Sequence, residues 1–121
     1  MPDKVVLAEA FQQFTEHWSP KIVGDVNDVQ VKVAKLEGEF VWHQHENEDE
    51  LFLVVQGRLR MRFRDRDVLL DPGELIIVPR GVEHLPVAED GECQVLLVEP
   101  KTTLNTGDAD DPRTVRDLER L

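Results

Sequence analysis

Cysteine is nearly absent from this chain, and that alone removes the small disulfide-stapled folds from consideration. Cys93 is the only one, so no intrachain disulfide can form, and its place in the apolar run CQVLLVEP marks it as a buried strand residue rather than a nucleophile. Basic residues are also short: 14 Lys and Arg face 25 Asp and Glu, a formal net charge of −11. Such a surface repels nucleic acid and anionic membranes, and neither is expected as a partner. No apolar run approaches the length of a membrane span. The opening residues MPDKVVLAEA carry acidic groups where a secretory signal needs a basic end and an apolar core, so a cytoplasmic protein is expected. Internal repeats and low-complexity tracts are missing as well. The 121 residues give room for one domain with one core.

What is present changes period along the chain. Leu7, Phe11, Phe14 and Trp18 recur at helical spacing, with Asp3 placed to cap the start and Pro20 beyond the end, which predicts an amphipathic helix lying on the outside of a sheet. From Asp28 the pattern alternates: Val29, Val31 and Val33 against Gln30 and Lys32 read as a half-buried strand. Further strands are expected at 39–45, 50–56, 58–63, 68–70, 74–78, 83–88 and 94–99, separated by turn formers such as Asp71-Pro72-Gly73 and Glu89-Asp90-Gly91. Many short strands with regular turn signals predict an all-β antiparallel sandwich or barrel. After Pro100 the stretch LNTGDADDPRT is polar, and TVRDLERL suits a short terminal helix. The expected division is residues 1–27 as helix and connector, 28–100 as the barrel, and 101–121 as a C-terminal tail.

The chemistry-bearing stretch is GEFVWHQHENEDELFLVVQG. His43 and His45 are two apart on an extended segment and so share one side of it. Glu50 reaches that side only through strand pairing, because the loop 46–49 intervenes, and Glu46, Glu48 and Asp49 read as a solvated loop. A third imidazole, His84, lies downstream in VPRGVEHLPVA. A lone His-x-His on a strand is commonly a pair of packed or exposed histidines.

The spacing as a whole, however, resembles a known family. Gly38 to Gly57, with His43-x-His45, four residues, Glu50, six residues and Gly57, resembles the first cupin motif. Gly73, five residues, Pro79-x-Gly81, two residues and His84 resemble the second. Gly38 stands one residue closer to the first histidine than usual, and Ala88 replaces a frequent asparagine. The segments SPKIVGDVNDVQ, FVWHQHENEDELF, VPRGVEHLPVAEDGE and EPKTTLNTGD are similar to a group of single-domain bacterial cupins of the Cupin_2 type, some labelled mannose-6-phosphate isomerase-like. That label is an analogy and fixes no activity. The resemblance spans about Val29 to Glu99 and implies a cupin double-stranded β-helix, a jelly-roll barrel, with a short N-terminal helix and a C-terminal tail. It also implies that His43, His45, Glu50 and His84 are metal ligands. Three imidazoles and one carboxylate suit one divalent ion of iron, manganese, nickel, copper or zinc; on an ion able to take six ligands they leave positions open, whereas tetrahedral zinc would close them.

With the histidines inside, strand parity puts Val41, Phe52 and Val54 on the inner wall as expected substrate contacts, and Phe40, Trp42, Leu51, Leu53 and Val55 outside. An outer face that apolar needs a cover, which predicts a homodimer in addition to the helix. Arg58, Arg60, Arg62 and Arg64 alternate with Leu59, Met61 and Phe63 and read as an outward polar face. Two functions remain open. One is a metal-dependent enzyme, dioxygenase-type or sugar isomerase-type, acting on a small oxygen-rich molecule. The other is a non-catalytic module that uses the metal to bind or sense a small ligand.

Overall fold

The computed structural model describes residues 2–121. One helix, α1 (Leu7–Phe11), precedes seven strands: β1 (Lys21–Val26), β2 (Val29–Glu39), β3 (Glu50–Gln56), β4 (Leu59–Phe63), β5 (Asp67–Leu70), β6 (Leu75–Val78) and β7 (His84–Pro100). All strand pairing is antiparallel, in the order β1-β2-β7-β3-β6, with β4 joining β7 and β5. The fold is the expected all-β jelly-roll barrel with a short N-terminal helix. Among the described residues, no helix is long and apolar enough to cross a membrane.

Alternation decides what each strand turns inward. Leu59 and Met61 of β4 are completely buried while Arg58, Arg60, Arg62 and Arg64, which alternate with them, point out and pair with Asp71, Glu89, Asp67 and Glu83. On β3 the inward set is Glu50, Phe52 and Val54; on β7 it is Cys93, Val95, Leu97 and Glu99. Strand β2 departs from the simple reading of its valines. Both of its faces are covered: Val33 is buried under α1, and the residues turned into the barrel are Lys32, Ala34 and Leu36.

The helix is shorter than its periodicity predicts. Its N-cap is Val6, without a side-chain cap from Asp3, and it stops at Phe11. Lys35 draws the chain away from helical geometry, because its Nζ takes the Phe14 carbonyl at 2.6 Å and its own carbonyl accepts the Trp18 amide at 2.9 Å. Phe11 and Phe14 still cover the outer sheet beside Val33 and Val55, as the amphipathic pattern requires. Trp18 does not join them. Its backbone sits at φ 59°, a costly conformation for a bulky side chain, and the indole turns into the barrel to stack on Phe40 with centroids 4.4 Å apart.

Three other segments differ from expectation. Residues 21–26, read as connector, form an edge strand against β2. The two strands expected at 83–88 and 94–99 are one: Glu89 to Glu92 form an exposed bulge within β7, where the register with β2 jumps from Leu36↔Cys93 to Gly38↔Ala88. The turn signal there bends a strand that serves both halves of the barrel. Finally, the last residues form no helix. They run back along the chain's own barrel, where Ile22 exchanges backbone hydrogen bonds with Glu119 and Leu121.

Candidate metal centre

β2 ends at Glu39, and residues 40–49 are not a regular strand as expected. Phe40 therefore escapes strict alternation and is buried in the core rather than outside. Trp42 is half-buried against the core, and Arg64 covers it with the guanidinium carbon 3.8 Å from the ring centroid. Beyond it the chain touches β7 at one point: His43 and His84 exchange backbone hydrogen bonds of 3.1 and 2.9 Å. The Gly81 amide holds the His45 carbonyl at 2.8 Å. Pairing of β3 with β6 and β7 brings Glu50 to the same place.

The four side chains expected from the motifs meet inside the barrel. Each is at most 4% exposed, and one ligand atom from each lies within 4.8 Å of all the others. Glu50 Oε1 is 3.3 Å from His45 Nε2 and 3.4 Å from His84 Nε2. The Nδ1 atoms of His43 and His84 lie 2.8 and 2.9 Å from the carbonyls of Val41 and Val82. A carbonyl only accepts, so each Nδ1 carries its ring's proton and each Nε2 presents a lone pair. Val41 thus contributes through its backbone. Its side chain and that of Val54 pack in the core, whereas Phe52 lines the cavity beside the site.

The donor set fits a divalent cation. His45 Nδ1 and Nε2, His84 Nε2 and Glu50 Oε1 are buried with no hydrogen-bond partner, a costly arrangement that a bound cation would compensate. Burial pushes His43 down to about 4, so it is neutral and able to coordinate near pH 7. Burial by itself would raise Glu50, but the polar groups of Glu99, His45 and His84 crowded around it outweigh burial and hold Glu50 well below the usual carboxylate range.

Sequence reasoning missed several residues around these four. Glu99 is 2% exposed; burial and the charge of Glu50 push its carboxyl well above the ordinary range, against the pull of Lys32. Lys32 Nζ sits 2.8 Å from Glu99 Oε1. Strand parity held the signal for both, since each occupies an inward position on its strand. Trp18, Phe40 and Asn105 help close a cavity of about 30 Å³ against His43, Glu50 and Glu99, room for roughly two waters. Arg113 reaches over Phe40, its guanidinium carbon 4.7 Å from the ring centroid, and bonds the carbonyls of Glu39 and Phe40. Gly107 packs on the Gln44 backbone and the His43 ring.

The cupin domain family matches residues 29–99 of this sequence. The chain belongs to the cupin family. A crystal structure of a cupin-2 domain containing protein from Shewanella frigidimarina is 43% identical, with a TM-score of 0.78 over 80% of this chain and 94% of that one. A protein from Neisseria meningitidis is 28% identical, with a TM-score of 0.74 over 82% of this cupin and 100% of the neighbour. The uncharacterized protein YdbB of Bacillus subtilis is 36% identical over 63 residues, 51% of this chain. That match spans 56%, about half, of the curated relative's length.

Proposed function

We propose that this cupin is a metal-dependent enzyme for a small oxygen-rich molecule, of the dioxygenase or sugar isomerase type. The observation that carries the reading is the convergence of buried, unpartnered imidazole and carboxylate atoms beside a cavity. His43, His45, Glu50 and His84 would hold one ion of iron, manganese, nickel, copper or zinc. Such an ion supplies Lewis acidity toward a carbonyl or, if redox-active, electrons to dioxygen. The chain's own part is to keep His43 neutral by burying it, to bring Glu50 beside His45 and His84, to offer Phe52 as an apolar wall and to narrow the cavity with Trp18 and Phe40. Metal analysis of anaerobically purified protein, followed by oxygen uptake and isomerisation assays on small hydroxycarbonyl compounds, tests it. Tightly held zinc without turnover of any of them would contradict the enzyme.

The small cavity favours one second reading, a non-catalytic module in which the metal helps bind or sense a very small ligand. Two further proposals accompany the function. Leu75 and Ile77 of β6 are each 55% exposed and stand beside Leu53 and Leu51 of β3, an apolar outer face that a second copy of the chain would cover in a homodimer. The setting proposed is the cytoplasm, where the Cys93 thiol, fully buried and pushed up to about 12 by that burial, stays reduced and inert.

A further inference from the structure

Residues 40–49 lie between β2 and β3, so the backbone groups around His43 and His45 lack a continuous sheet partner and must be satisfied one at a time. His43 exchanges hydrogen bonds of 3.1 and 2.9 Å with His84, and the His45 carbonyl takes the Gly81 amide at 2.8 Å. Gln44, between the two expected ligands, turns instead to the C-terminal tail. Its amide donates to Asp108 Oδ1 at 2.9 Å, and its carbonyl accepts the Asp108 amide at 3.1 Å.

Two residues that exchange a pair of such bonds make the closed unit of an antiparallel ladder. Here one acceptor is a side-chain oxygen where a ladder would use a backbone carbonyl, so the bridge depends on which residue stands at position 108. An exposed acid is ordinarily just a solvated side chain; Asp108 is exposed and yet closes this ring. The loop that carries it is tied to itself. Asn105 donates to the Arg113 carbonyl at 2.9 Å and accepts the Val115 amide at 2.9 Å, while the fully buried Thr106 hydroxyl meets that of Thr114 at 2.5 Å. Gly107, with no side chain to collide with the Gln44 carbonyl, lets the loop approach this closely. We propose that Asp108 is a positioning residue, which holds the amide and carbonyl of Gln44 and so sets the placement of His43 and His45 relative to each other. The inference rests on the metal-centre reading and extends that centre to the tail.

The test uses the full chain stripped of metal and Co(II) alone as the probe, read by binding affinity and by visible d–d absorption, which responds to the geometry of the bound ion. Asp108→Ala removes the side-chain acceptor, and Asp108→Asn keeps it. Asp110→Ala, at another exposed acid of the same loop, controls for the lost charge. Expected is Co(II) binding weakened roughly three- to tenfold in Asp108→Ala, the worth of one hydrogen bond, with an altered absorption envelope. Asp108→Asn and Asp110→Ala should stay within about twofold of the parent and keep its spectrum. Parent-like affinity and spectrum in Asp108→Ala would overturn the proposal, as would an equal loss in Asp108→Asn or in Asp110→Ala. Equal Co(II) binding by the parent and Glu50→Ala is a distinct result, and it would sink the metal-centre reading itself.

Discussion

His43 and His84 are joined by a reciprocal pair of backbone hydrogen bonds, and their rings lie with centroids 4.3 Å apart. Backbone pairing thus places two expected ligands side by side. One belongs to the irregular segment after β2 and the other opens β7, so an ion held between them would tie the two together. Metal that binds only the folded state stabilises it by mass action, about 4 kcal/mol when free metal exceeds Kd a thousandfold. Thermal unfolding with saturating metal and with chelator should therefore differ by several degrees. Coincident transitions would contradict a folded-state metal site.

Gly107 has φ 56°, and a Cβ there would strike the Gln44 carbonyl oxygen and come within 3.0 Å of His43 Cδ2. Both the backbone strain and the collision fall on the segment that carries His43. Gly107→Ala should destabilise the protein by about 1–3 kcal/mol in urea unfolding and weaken metal binding as well. Parent-like values in both would show that the tail does not shape the centre.

That contact marks the boundary of what the sequence made legible. The four ligand positions were readable because two long motifs keep their spacing in the chain, and the barrel because alternation and turns recur. Phe40 was misplaced because parity holds only along a regular strand, and the chain leaves β2 at Glu39. Trp18 was assigned to the helix because its spacing fits one; the competing pull of Lys35 on the Phe14 carbonyl is a tertiary contact invisible to periodicity. The polar residues of the C-terminal tail show no pattern that points to the barrel, yet Asn105, Gly107 and Arg113 all reach the region of the site.

The pH dependence of the metal-free protein should reveal two opposed groups. Folded His43 takes a proton only near pH 4, against about 6.5 when unfolded. Between those values the unfolded chain binds the extra proton, so this group makes stability fall on acidification, by at most about 3 kcal/mol. Glu99 acts in the other direction: burial raises its carboxyl, so its contribution is present below about pH 4.5 and fades as pH rises through its folded value. Denaturant midpoints should accordingly depend more steeply on pH from 6.5 to 4.5 in Glu99→Gln than in the parent. A parent curve as steep as the variant's would contradict this pairing.

Leu75 and Ile77 offer a test of assembly that leaves the site alone. A lysine at Ile77, which is 55% exposed, places a charge on the outer apolar face and not in the barrel. Sedimentation equilibrium at micromolar concentration should give a dimer for the parent and a monomer for Ile77→Lys. A monomeric parent would remove the homodimer.

The central claim is that His43, His45, Glu50 and His84 together hold one divalent ion. Its most direct test is the metal content of purified protein beside the double variant His43→Ala/His84→Ala, by inductively coupled plasma mass spectrometry after gel filtration. One equivalent of metal per parent chain and none per folded variant is the predicted result. Full occupancy retained in the variant would contradict it.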